Sequence, residues 1–266
     1  MKTRIISGIV MGAVVAAFLA LGLCVNENFI NLFVAVISAL GTYELLHNAM
    51  GIKSKSCLTG ATIYGFVSCL FYAGVFPAEF IAISAAYMVY ITIVCIYKHD
   101  VFDISKILAC SVAPIVLSLS LGCLGSVLKY GNGLYYLLLL LNFASVCDIG
   151  AYFTGVTIGK HKLCPQISPK KTVEGAIGGI VLSLIVTIIL CLGFKMTENF
   201  IWTVILTVPL CIVGMFGDLF ASLIKRAVGI KDYGNLIPGH GGILDRLDSI
   251  LFIAPAVFSL MTLGVL

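Results

Sequence analysis

Four aspartates in an otherwise apolar chain are the first residues capable of chemistry. Asp148 lies inside a long hydrophobic run and Asp218 at the end of another, while Asp245 and Asp248 stand three apart just before a third. At that spacing two residues of a helix share a face. Ionised groups at membrane depth are costly, and their presence there marks a partner or a function. Mg²⁺ takes carboxylate oxygens together with water and substrate phosphates, so acids gathered at one membrane face point to a divalent-cation site. The same acids could instead pair with Lys225, Arg226 and Arg246 as interfacial salt bridges, and spacing alone leaves both readings open.

The bases carry the complementary signal. Lys170-Lys171-Thr172 follows Ser168-Pro169 and leads through Glu174-Gly175 into a new apolar run. Ser168 and Thr172 are candidate helix caps, and lysines beside the free N–H groups of a helix start suit a phosphate. Lys160 and Lys162 read more simply as positive-inside anchors. Pro238-Gly239-His240-Gly241-Gly242 is a rigid-then-flexible turn whose backbone N–H groups could approach an anion. His240 could bind phosphate or act as an acid, with Lys231, Asp232, Asp245 and Arg246 flanking it. His47, His99 and His161 read as interface residues without partners, and Glu44 is given no role. Acids for a metal, bases for phosphates and a glycine-rich turn together point to phosphoryl or nucleotidyl transfer, which depends on positioning and charge neutralisation. No GxxxxGK[ST] sequence occurs, and no Ser/His/Asp or His-rich zinc pattern. The ten cysteines form no CxxC pair, sit mostly in apolar runs and read as small buried hydrophobes.

The elements that must position these residues are membrane helices. Of the 266 residues 61% are hydrophobic and 11% charged, against about 25% charged in a soluble domain. The expected fold is an all-α, polytopic transmembrane helical bundle, and with a net charge of only +4 no nucleic-acid partner is expected. With about 20 apolar residues per span, nine spans are expected: Ile5–Leu23, Phe29–His47, Leu58–Phe76, Phe80–Tyr97, Ile107–Leu128, Leu134–Phe153, Ala176–Phe194, Ile201–Leu219 and Ser249–Gly264. Pro77, Ala78 and Glu79 alone would separate the third and fourth. The start, Met1-Lys2-Thr3-Arg4 before an apolar run, resembles a signal peptide but reads better as an uncleaved first span. Placing the N-terminus in the cytoplasm puts Lys2, Arg4, Lys53, Lys55, Lys98, Lys106, Lys160, Lys162, Lys170, Lys171, Lys225, Arg226, Lys231 and Arg246 inside. Only Lys129 and Lys195 fall outside, as the positive-inside rule favours. Residues 1–133 then form N-terminal transmembrane helices and residues 134–266 a catalytic transmembrane region of the same membrane unit.

The polar stretch from Ser222 also carries a resemblance. Ser222-x-x-Lys225-Arg226, Lys231-Asp232 and Pro238-x-His240-Gly241-Gly242-x-x-Asp245-Arg246-x-Asp248 resemble the signature of phosphatidate cytidylyltransferases, also called CDP-diacylglycerol synthases. Asp148-x-x-Ala151-Tyr152 and Ser168-Pro-Lys-Lys-Thr-x-Glu-Gly175 are similar to the same family, so the likeness covers the chain from Asp148 onward. Val173 stands where many members have an aromatic residue, and Ala221 where many have Glu. The resemblance implies the conversion of CTP and phosphatidate to CDP-diacylglycerol and pyrophosphate, in phospholipid biosynthesis, with Mg²⁺ and room for a second cation. It implies a multi-pass protein of the inner, cytoplasmic membrane, its active site on the cytoplasmic face, with the lipid bilayer as environment and room for a homodimer. Asp218, Asp245 and Asp248 would hold metal, and Asp148 would either be a further ligand or orient Lys170. Asp218, Lys225, Arg226, Asp245 and His240 would carry catalysis. Ser168, Lys170, Lys171, Ser222, Lys231, Gly239, Gly241, Gly242 and Arg246 would bind the substrates. A CTP-dependent kinase of a polyprenol- or phytol-type alcohol is the nearest alternative, and a secondary transporter coupled through Asp148 and Asp218 a more distant one.

Overall fold

The computed structural model describes residues 2–26, 28–73, 77–129, 131–196 and 198–266. They are overwhelmingly helical: α1 Lys2–Cys24, α2 Asn28–Tyr43, α3 Lys55–Ala73, α4 Pro77–Tyr97, α5 Ile104–Val127, α6 Gly133–Leu141, α7 Cys147–Ile158, α8 Val173–Gly193, α9 Phe200–Ala227, the single turn α10 Leu244–Leu247 and α11 Ile250–Thr262. A π-helical turn, Glu44–Ala49, continues α2, and a second, Asn142–Val146, joins α6 to α7. A two-stranded hairpin, β1 Lys162–Cys164 and β2 Ser168–Thr172, precedes α8. Among the described residues six helices are long and apolar enough to cross a membrane: Asn28–Ala49, Ala78–Tyr97, Ile104–Val127, Gly133–Ile158, Val173–Gly193 and Phe200–Ala227.

Three boundaries differ from the sequence reading. Pro77, Ala78 and Glu79 are the first turn of α4 rather than a linker, because proline suits the first helical position, where its missing N–H costs nothing; residues 74–76 lie outside the described residues. The run expected to end at Phe153 continues to Ile158. The run expected to end at Leu219 continues to Ala227, so Ser222, Lys225 and Arg226 stand on a helix and not in a loop. Leu219, Phe220, Leu223 and Ile224 sustain the helical spacing of apolar residues. At 28 residues α9 is about 42 Å long, more than the roughly 30 Å hydrocarbon thickness, and Lys225 and Arg226 in its last turn complement the helix dipole.

The chain forms two compact units: Met1–Lys129 with Val228–Leu247, and Tyr130–Ala227 with Asp248–Leu266. The stretch Val228–Leu247, which the sequence groups with the catalytic half, therefore packs with the N-terminal helices. In the first unit the core gathers Leu46, Cys57, Ala61, Tyr64, Tyr87 and Ile91, among others. Tyr64 stacks on Tyr87 with ring centroids 4.2 Å apart, and Tyr87 Oη donates to Cys110 O at 2.6 Å. The buried Ser68 hydroxyl returns to its own helix, Oγ donating to Tyr64 O at 2.6 Å, which satisfies it where no water reaches. Ile81, Val89 and Ile96 of α4 stay 63–67% exposed, an apolar face suited to lipid. All ten cysteines are free thiols, buried apart from Cys24 and Cys164.

In the second unit small residues bring backbones together. A Cβ at Gly179 would lie 2.5 Å from Cys147 O, and one at Gly175 2.6 Å from Ala151 O. The Gly175-x-x-x-Gly179 stripe of α8 thus seats α7 at backbone contact. Asn142, in the π-turn, donates to Ser183 O and to Thr187 Oγ1, both at 3.0 Å. On α9, a Cβ at Gly217 would meet Asp248 O at 2.7 Å, so that glycine admits the start of α11.

Candidate active site

These close approaches place Asp148, Lys171, Asp218 and Asp248 around one region of the second unit. A cavity of about 640 Å³ opens there, lined by Asp148, Tyr152, Ser168, Lys170, Lys171 and Asp218, among others, within the size range of small-molecule sites. Lys171 Nζ pairs with Asp218 Oδ2 at 2.5 Å, each side chain 23% exposed, and its charge also acts on Asp148. Ser222 Oγ, one turn along α9, donates to Asp218 Oδ1 at 3.4 Å. Asp248 feels Asp218, Asp148 and the cation of Lys225. Burial, and then the charge of Asp218, push its carboxyl up to about 7 from its ordinary 3.8.

The hairpin explains why only one of the paired lysines reaches Asp218. Ser168–Thr172 is a strand, paired Lys162 with Thr172 and Cys164 with Ser168 across a register shift, and it runs from exposed at Pro169 and Lys170 to half-buried at Lys171 and buried at Thr172. Lys171 turns inward and Lys170 stays exposed at the cavity wall. Ser168, a candidate cap from sequence, is a strand residue; Thr172 is the N-cap of α8, its Oγ1 accepting from Gly175 N at 3.1 Å. His161 has a partner after all: its Nδ1 meets Glu174 Oε1 at 2.5 Å, and Glu174 also accepts from Lys160 N and His161 N. Glu174, in the first turn of α8 where a carboxylate is favoured, clamps the hairpin's base. His47 and His99 likewise have partners, Ile52 O and Asp100.

In the first unit, the turn after Ile237 is closed by its own backbone. Ile237 N donates to Gly241 O, while His240 N and Gly241 N donate to Ile237 O. Gly239 and Gly241 have φ of 78° and 90°, which other residues adopt only with strain. Asp245, 7% exposed, accepts from Tyr233 N at 2.8 Å and Gly242 N at 3.0 Å through one oxygen. The N–H groups of His240, Gly241 and Gly242, expected to face an anion, are thus committed to the turn itself. Instead the turn fixes the His240 ring. Ser7 Oγ donates to Pro238 O at 2.8 Å and meets His240 Nδ1 at 2.8 Å. One hydroxyl has one proton to give, so with Ser7 Oγ donating to Pro238 O, the hydrogen between Ser7 and the ring belongs to His240 Nδ1. Lys231, Asp232 and Arg246 are exposed, as is Arg226 in the second unit.

One acid was missed. Glu44, in the π-turn that ends α2, is 4% exposed, and its Oε2 accepts from Leu244 N at 3.1 Å. The rule that singled out Asp148, a carboxylate inside an apolar run, applies equally to Glu44.

A family model described as the cytidylyltransferase family matches residues 2–263. The chain belongs to that family. Among curated relatives, it is 48% identical over 116 residues to a phosphatidate cytidylyltransferase of Bacillus subtilis, covering 44% of this chain and 43% of that protein. It is 49% identical over 125 residues to one of Staphylococcus haemolyticus, covering 47% and 48%, and 46% identical over 125 residues to one of Staphylococcus aureus, with the same coverage. The matching stretch thus spans about half the length of these relatives.

The cation that such a family member would use can be tested against the residues present. Among the described residues no group of three or more His, Cys, Asp or Glu is arranged to hold a metal ion. Mg²⁺ needs no such cage, since it binds through one or two carboxylates and completes its shell with water and phosphate oxygens. Asp148, Asp218 and Asp248 offer oxygen donors only, the type a hard cation takes, beside the cations of Lys171 and Lys225.

Proposed function

We propose that the chain transfers a cytidylyl group from CTP to phosphatidate, forming CDP-diacylglycerol and releasing pyrophosphate. The observation that carries this reading is the cavity in which Lys171 and Asp218 pair beside Asp148, Ser168 and Lys170. An acid-and-base wall of this kind serves a metal and phosphates at once, and family membership together with the activity for which the relatives are named supports the choice of substrates.

In the reaction an oxygen of the phosphatidate phosphate attacks the α-phosphorus of CTP. The new P–O–P bond forms as the α–β bond breaks, and pyrophosphate leaves with the bonding pair. The nucleophile is already an anion, so no strong base is required; the barrier lies in bringing two polyanions together. Asp218 and Asp248, with Asp148, would hold Mg²⁺, while Asp245 remains a metal candidate on the strength of the signature. Bound there, Mg²⁺ would withdraw charge from phosphate oxygens. Lys171, Lys170 and Lys225 neutralise phosphates, with Arg226, Lys231 and Arg246 supplying further positive charge from exposed positions. Ser168 and Ser222 are hydroxyl donors, and on the strength of the signature alone His240 and the Gly239–Gly242 turn would serve the nucleotide. The proposal includes nine spans with the N-terminus in the cytoplasm, which would expose the site to cytoplasmic CTP while phosphatidate arrives from the bilayer.

The test is direct. The purified chain in phosphatidate-containing mixed micelles is supplied with CTP, with and without Mg²⁺. CDP-diacylglycerol should accumulate only with the cation, and its absence under both conditions would refute the assignment.

A further inference from the structure

Glu44 and the loop that ends at Leu244 are 200 residues apart in sequence, yet they fit as key and lock. The carboxylate is buried, and Oε2 accepts from Leu244 N at 3.1 Å; the Ile243 backbone N–H also acts on it. Oε1 is buried with no hydrogen-bond partner. Two glycines make room for the group: a Cβ at Gly234 would lie 2.6 Å from Oε1, and one at Gly242 2.5 Å from Oε2. One turn further along, Asn48 Nδ2 donates to Tyr233 O at 2.9 Å, so the end of α2 grips both flanks of the turn that Asp245 braces from within.

We propose that Glu44 is a positioning residue, a hydrogen-bond acceptor that seats the glycine-rich turn carrying His240 and Asp245. Its effect on turnover rests on the reading that this turn serves the nucleotide; its effect on the turn itself does not. The chemistry needed at position 44 is an acceptor at Oε2 and a thin group at Oε1. An alkyl side chain could fill the space but would leave the Leu244 N–H buried and unsatisfied. Aspartate, shorter by one methylene, would not reach. Glutamine keeps the acceptor, because its carbonyl can take the place of Oε2; its amide then stands where Oε1 already lies buried without a partner. Charge is therefore dispensable at this position, which separates Glu44 from a metal ligand.

The experiment compares wild type, E44Q, E44A, G234A and E44A/G234A as full chains in mixed micelles. Hydrogen exchange is followed over residues 233–244, and kinetics are measured against CTP and against phosphatidate. E44A is expected to speed exchange across the turn at least tenfold and to raise KM for CTP at least tenfold, with KM for phosphatidate unmoved. E44Q should stay within threefold of wild type in each. G234A should also loosen the turn, because its Cβ meets the carboxylate, and E44A/G234A should be no worse than E44A. Unchanged exchange in E44A, or an E44Q as damaged as E44A, would overturn the proposal. Should E44A fail to fold, G234A decides alone, and wild-type exchange in that variant is the contrary result. A wild type that forms no CDP-lipid but shows the expected exchange pattern would defeat the proposed function and leave the positioning role standing.

Discussion

Replacing Lys171 by Met separates what its ion pair does for the fold from what it does for the substrate. The substitution keeps the unbranched stem and removes one charge, leaving Asp148, Asp218 and Asp248 with Lys225 as the cation acting on Asp248. Removing one partner of a buried pair costs about 3–5 kcal/mol, and with both side chains 23% exposed the lower end, about 3 kcal/mol, is expected. For catalysis, unit charges about 4 Å apart interact by about 4 kcal/mol at an effective dielectric of 20. Halving that for partial solvation leaves about 2 kcal/mol toward a CTP phosphate, or roughly a 30-fold loss in kcat/KM for CTP. Unfolding in mixed micelles and initial rates over a CTP series measure the two effects. K171M/D218N, which removes both charges, should recover stability to within about 1 kcal/mol but stay inactive. A K171M enzyme with kcat/KM within threefold of wild type would refute the assignment of Lys171 to the nucleotide phosphates.

Asp218→Asn should lower turnover at least a thousandfold with membrane insertion unchanged; a variant keeping a tenth of wild-type activity would remove Asp218 from the metal set. Asp245→Asn can still accept from Tyr233 N and Gly242 N, so exchange over 233–244 should hold while turnover drops at least a hundredfold; full activity would restrict Asp245 to its bracing contacts. Asp248 sets a pH dependence in the metal-free protein. Its folded carboxyl keeps its proton up to about 7, while the unfolded one loses it near 3.8. Its contribution to stability is therefore full below about pH 4, declines as pH rises to about 7, and is flat beyond. Unfolding midpoints from pH 4 to 8 should show that decline in wild type and lose it in Asp248→Asn.

Much of the site was legible because ionised side chains in an apolar chain are conspicuous. Asp148, Lys171, Asp218 and Asp248 were all named from type and position, and the structure brings them into electrostatic reach of one another. What escaped were features set by local geometry or by distant contact. The local path of the hairpin, not composition, separates Lys171 from Lys170. The helical phase of α9 outlasts its most hydrophobic part and carries Ser222 and Lys225 with it. The N–H groups of the glycine-rich turn satisfy one another and Asp245, which no spacing rule reveals. Glu44 is open to the same rule as Asp148, but its partner, Leu244 N, lies 200 residues away and no sequence pattern couples the two.

The most direct test follows the label through the reaction. The purified chain would be given CTP labelled at the α-phosphate in one sample and at the γ-phosphate in another, with phosphatidate and Mg²⁺. Cytidylyl transfer predicts α-label in the lipid product and γ-label in released pyrophosphate. Lipid carrying γ-label, with CDP released, would contradict the account and identify a CTP-dependent lipid kinase.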